Sequence, residues 1–189
     1  MEEKAQLLHR LDYVDATRKA RTAMAGEVLA NPQWVPTLLD IGFGAEEPAG
    51  HRACWVLERA IGETPGILFP HLEAFTLGLE HLQGESSIRP MAKICEILSL
   101  AYTRKPEASR PPLSMVQRER MVVACFDWLI GPHKVAPKAF AMQTLFALGR
   151  EWPWVHRELR ATLEKGYPTG SAGYQARARK VLKLLDKPA

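Results

Sequence analysis

Few residues of this chain stand where side-chain chemistry would need them. A nucleophile requires a positioned base and an orienting group. No GxSxG occurs, and none of the three cysteines, Cys54, Cys95 and Cys125, has a neighbouring histidine. The cysteines lie far apart among apolar residues, which predicts small core side chains with neither a disulfide framework nor a zinc pattern. The six histidines show no HExxH or HxH spacing, and no Gly-rich phosphate-cradling loop is present. No metal or cofactor is therefore expected. The carboxylates Glu46 and Glu47 share a loop, where solvation is a simpler expectation than proton transfer.

Two groups of residues could recognise a ligand. The first is basic and aromatic: Trp152, Trp154, His156, Arg157 and Arg160, followed by Arg177, Arg179, Lys180 and Lys183. Cations neutralise phosphates and aromatic rings stack on bases, so this mixture suits nucleic acid. The alternative is that the tryptophans pack between helices while the cations solvate a terminal helix. The second group is a series of basic helix openings, Arg52, Arg89, Lys138 and Arg177, which Trp55, Lys93 and Gln143 would join on one face. These could form a row that contacts a ligand, or each cation could pair with an acid of the adjacent helix. The sequence leaves both open.

The elements that would position these residues are helices. Residues 2–30 carry an apolar stripe, as one long helix or two short ones, stopped at Asn31-Pro32 because a residue before proline avoids the helical region. Helices are predicted over 34–43, 51–61, 67–82 (with Pro70 in the first turn), 88–102, 113–130, 137–148, 152–166 and 174–186. Gly131-Pro132 separates 113–130 from 137–148. Ser86 and Ser87 are expected to cap the helix that follows them, and 103–112 is a Pro-rich inserted loop. No stretch alternates as a strand would.

Four of the segments superimpose as text: HRACWVLERAI, IRPMAKICEIL, KAFAMQTLFAL and QARARKVLKLL. Each opens on a polar residue (His51, Arg89, Lys138, Gln175) and has a small one three positions on (Cys54, Ala92, Ala141, Ala178). The intervals of 38, 49 and 37 residues, the longest containing the 103–112 loop, match the spacing of HEAT-type helix pairs. The expectation is an all-α, α-α superhelix, a HEAT/armadillo-like solenoid of about four helix pairs. It would form one domain over 1–189, with 1–30 as its N-terminal cap.

The text of HRACWVLE, LFPHLEAF, IRPMAKICE, CFDWLI, KAFAMQTL and YQARARKVL resembles a Bacteroidetes family of HEAT-like proteins about as long as this chain. That resemblance implies an α-solenoid and no activity. Some proteins it is similar to carry an adenylosuccinate lyase label. The lyase signature runs roughly GSSxMPxKxNP, whereas Gly84 to Lys93 reads GESSIRPMAK, with Pro-Met reversed and no Asn-Pro following. Lyase chemistry is not expected.

Composition narrows the reading further. With 47% apolar residues among 189, an ordinary folded core is expected. No apolar run nears the roughly 20 residues that span a bilayer, and the acidic N-terminus lacks a signal-peptide pattern, so a cytoplasmic location is expected. The net charge of +4 conceals 9 Lys/Arg against 13 Asp/Glu in residues 1–95 and 16 against 8 in 96–189. The sequence thus predicts a non-catalytic scaffold that binds another protein. Nucleic-acid binding through the basic C-terminal half is the alternative, and an enzyme comes third.

Overall fold

Thr17, Ser114 and Ser171 begin helices of this protein by satisfying first-turn N–H groups with short polar side chains. The computed structural model describes residues 2–44, 47–82 and 84–187; Glu46, of the paired carboxylates above, lies outside them. Ten α-helices occur among the described residues, and no strand. They are α1 (Glu2–Leu11), α2 (Arg18–Ala30), α3 (Val35–Phe43), α4 (Ala49–Glu63), α5 (Leu72–Gly78), α6 (Glu85–Arg104), α7 (Met115–Ile130), α8 (Val135–Leu148), α9 (Pro153–Gly166) and α10 (Ala172–Leu185). Residues 2–30 form two helices. The break comes where Asp15 accepts from the Thr17 N–H at 2.8 Å and Thr17 in turn caps α2 at Ala20. Ser114 and Gln117 close a reciprocal capping box on α7, and Ser171 caps α10 at Tyr174.

Three local expectations are corrected. The helix predicted over 67–82 is a 3-10 segment, Pro65–His71, then the seven residues of α5, then a 3-10 turn, Leu79–His81. Pro70 cannot donate to an α-helical ladder and pushes Phe69 away from helical geometry. Ser86 and Ser87 do not cap α6, which already begins at Glu85. Its cap position is Gly84 at φ +81°, a left-handed conformation that glycine adopts without a Cβ clash. The inserted loop is also shorter than expected, because α6 runs on through Arg104 and a 3-10 turn follows at Glu107–Ser109.

Packing places the helices in two series. In one, α2, α4, α6, α8 and α10 each pack on the next; in the other, α3 packs on α5 and α5 on α7. The series meet where α3 packs on α4 and α7 on α8. The four textually similar segments are therefore consecutive members of the first series. Their small residues, Cys54, Ala92, Ala141 and Ala178, are fully buried, which lets adjacent helices approach closely. A continuous apolar cluster runs from Leu7 to Val181. Its fully buried members, such as Phe75 and Leu98, each contribute about 1.5–3 kcal/mol through removal from water. No described helix is long and apolar enough to cross a membrane.

Candidate functional site

The basic helix openings sit on the α2–α4–α6–α8–α10 series, and most already have partners within the chain. Arg52 of α4 lies 3.4 Å from Asp12, in the α1–α2 connection. Arg89 of α6 lies 3.1 Å from Glu58 of α4. Glu96 of α6 has a side chain only 7% exposed, and it is approached by Lys93 at 2.5 Å and by Arg177 of α10 at 3.4 Å. Because α8 packs between α6 and α10, the last pair ties together helices that flank it. Two cations around one buried carboxylate are what such a charge needs in order to be tolerated away from water.

The companions of these cations are also engaged. Lys93 projects over the Phe140 ring, 4.9 Å from its centre. The Trp55 indole N–H donates to the Ser86 carbonyl at 2.9 Å, fastening α4 to the start of α6. Its ring lies beside His51 at 4.6 Å and beneath the Arg21 guanidinium at 5.9 Å. Gln143 is buried at 6% exposure. Lys138 differs: it makes no ion pair among the described residues and borders a cleft of about 640 Å³ shared with Lys165, Thr169 and Ser171. Four of the five cations in the row are thus held by carboxylates of this chain. What remains is a bracing network more than a binding surface.

The basic and aromatic C-terminal residues are dispersed rather than gathered. Trp154, 46% exposed, stacks on Phe126 at 6.0 Å, and Trp152 lies under the Arg118 guanidinium. His156 Nε2 lies 2.8 Å from the Phe146 carbonyl, and the two rings stack. Arg160 is held between Asp186 at 2.8 Å and Glu164 at 3.6 Å. Arg157 shares a shallow depression with Arg160 and Glu164, whereas Arg177 is committed to Glu96. Lys180 is exposed and, like Arg157, has no ion pair among the described residues. Among the described residues, the depression that holds Arg157 and Arg160 includes neither Arg177 nor Lys180.

The thiols are sequestered in the core. All three are buried; burial pushes the Cys54 thiol up to about 12, and burial beside the Cys125 thiol raises Cys95 well above its ordinary range. A thiol kept protonated neither attacks nor ligates. Among the described residues no three His, Cys, Asp or Glu side chains cluster as a metal site would require. Glu47 pairs with His51 one helical turn away.

A different surface lies between α5 and α7, on residues outside both candidate ligand groups of the sequence. A groove of about 370 Å³ is floored by Leu82, Ile88 and Trp128 and walled by Leu77, Val116 and Val123. These last three are 44%, 49% and 60% exposed. Val116, Val123 and Ile130 recur every seven residues, which places them in one line along α7. Its edge carries Glu80, Glu119, Asp127, Arg120 and His133.

The cations of that edge are paired with carboxylates. Arg120 lies 2.6 Å from Glu73, which also accepts from Gln117 at 3.0 Å; together they hold the Glu73 carboxyl below the usual range. His133 Nδ1 lies 2.8 Å from Glu85, whose other oxygen accepts from the Lys134 N–H. Glu119 and Asp127 have no side-chain partner among the described residues. The heptad spacing of three exposed aliphatics was the available signal. No protein family, curated protein or solved structure matches the chain.

Proposed function

We propose that this chain is a non-catalytic protein-binding scaffold of the cytoplasm, built as a HEAT-like α-solenoid of the family its text resembles. The observation that carries this reading is where the exposed apolar surface lies. Of the seven large apolar side chains exposed among the described residues, Leu77, Met115, Val116, Val123 and Ile130 all belong to α5 and α7. Leu77, Val116 and Val123 line one groove, and apolar surface gathered in one place is what a partner buries. Successive packing of α2, α4, α6, α8 and α10 supports the solenoid architecture, in which each helix completes its neighbour's core. The nucleic-acid alternative has less support, since Arg160 and Arg177 are held by Asp186 and Glu96.

The test compares partners retained from extracts of the expressing cells by the native protein and by two variants, Val123→Asn with Ile130→Asn, and Lys93→Ala. A partner kept by the native protein and by Lys93→Ala, but lost with the α7 variant, is the expected result. Equal retention by all three would overturn the reading. Salt-sensitive binding of short DNA or RNA abolished by Arg157→Glu with Lys180→Glu would favour the alternative.

A further inference from the structure

Resting on the protein-binding reading, we infer that the groove between α5 and α7 receives an amphipathic helix of a partner protein, with aliphatic residues on one face and Lys/Arg along its flanks. Shape and charge together select this occupant. The α7 side of the groove from Val116 to Trp128 spans twelve residues, about 18 Å at the helical rise per residue. A facing helix of about fifteen residues would cover it, using anchors at i, i+3, i+4 and i+7. The groove's volume of about 370 Å³ admits a few aliphatic side chains from such a helix.

The rim supplies the sign. Arg120 and His133 are engaged by Glu73 and Glu85, which lie outside the groove lining, so the positive charge at the edge is already compensated. Glu119 and Asp127, eight residues apart on α7, leave two carboxylates without internal partners beside exposed valines. A basic flank would meet both of them. An acidic helix would be repelled, and a second copy docking through the same face would set these carboxylates against their counterparts. Rim charges of this kind govern partner choice and encounter rate more than raw affinity.

The experiment uses the full chain and two fluorescent peptides of about fifteen residues, one of leucines and lysines with leucines at the anchor spacing, the other with glutamates replacing the lysines. The Leu/Lys peptide should bind, and the Leu/Glu peptide should bind at least about tenfold more weakly. Glu119→Lys with Asp127→Lys should reverse that order, and Val123→Asn should weaken both. These positions are exposed, and circular dichroism melts would verify that the variants remain folded. Leu/Lys binding indifferent to the charge reversal, or equal affinity for both peptides, would overturn the assignment. So would a dimer in sedimentation that Val123→Asn dissolves, which would make a second copy the occupant. If the peptides fail while the α7 variant still loses its partner from extracts, the helix assignment falls and the scaffold reading stands. Loss of neither overturns both.

Discussion

The polar face of the α4–α6–α8–α10 series and the α5–α7 groove divide the molecule's charged and apolar residues in opposite ways. The first face is rich in arginine, lysine, tryptophan and glutamate, the residue types that usually attract a functional reading, yet apart from Lys138 most of its bonding capacity is spent internally. Arg52, Arg89, Lys93 and Arg177 all meet carboxylates, and the Trp55 indole meets a carbonyl. The groove has less conspicuous residues but leaves Val116, Val123, Glu119 and Asp127 unsatisfied by the fold. What can recognise a partner is the capacity that folding has not already used.

The largest test of this contrast removes the cations around Glu96. Lys93→Met with Arg177→Met leaves a carboxylate of 7% exposure without a counter-charge. The expected loss is on the order of 3 kcal/mol in urea unfolding. Val123→Asn, on the groove side, should change stability by less than about 0.5 kcal/mol because its side chain is 60% exposed. Similar losses at the two places would erase the distinction between brace and docking surface.

A smaller effect is expected at Gly78, where α5 meets α3. A Cβ there would fall on the Phe43 ring, which itself packs 6.4 Å from Phe75. Gly78→Ala should cost about 1–3 kcal/mol by overpacking, read as a lower midpoint in thermal unfolding. An unchanged midpoint would mean that Phe43 moves aside freely, and the groove's α5 wall would then be less fixed than its geometry implies.

The smallest effect concerns Glu73, the exposed carboxylate that pairs with Arg120 at the groove's edge. Hydrogen bonds from Arg120 and then Gln117 lower its folded pKa. A depressed folded pKa gives a contribution present above the ordinary glutamate value and lost as pH falls through the folded one. The melting difference between the native chain and Glu73→Gln should therefore be slight at neutral pH and vanish in acid. The same variant releases Arg120 toward the rim and should weaken the Leu/Lys peptide. A difference that grew on acidification would show that Glu73 is not held in this way.

The sequence made much of the helical order legible. Gly131-Pro132 separates two helices as expected, and the small residues Cys54, Ala92, Ala141 and Ala178 are buried where adjacent helices meet. The failures are local competitions. Ser86 and Ser87 have the right chemistry for a cap, but Gly84 takes the cap position two residues before Ser86. Pro70 suits a first turn, yet with Pro65 it fits a 3-10 segment better than an α-helix. On α7 the obstacle is different. Met121, Val122, Cys125, Trp128 and Leu129 are buried while Val116, Val123 and Ile130 are exposed, so apolar residues occupy more than one face. Periodicity then cannot say which face the core takes.

The covalent order of Gly, Pro, capping residues and apolar repeats determined that this chain is helical and where most of its breaks fall, because those preferences act within a few residues. Only the tertiary structure decided which cations meet carboxylates and which valines stay in water. Arg177 and Glu96 are 81 residues apart, and nothing local to either encodes their meeting. It follows from α6 and α10 both packing on α8. The α5–α7 groove likewise exists because two helices far apart in sequence pack side by side and leave one face of each uncovered.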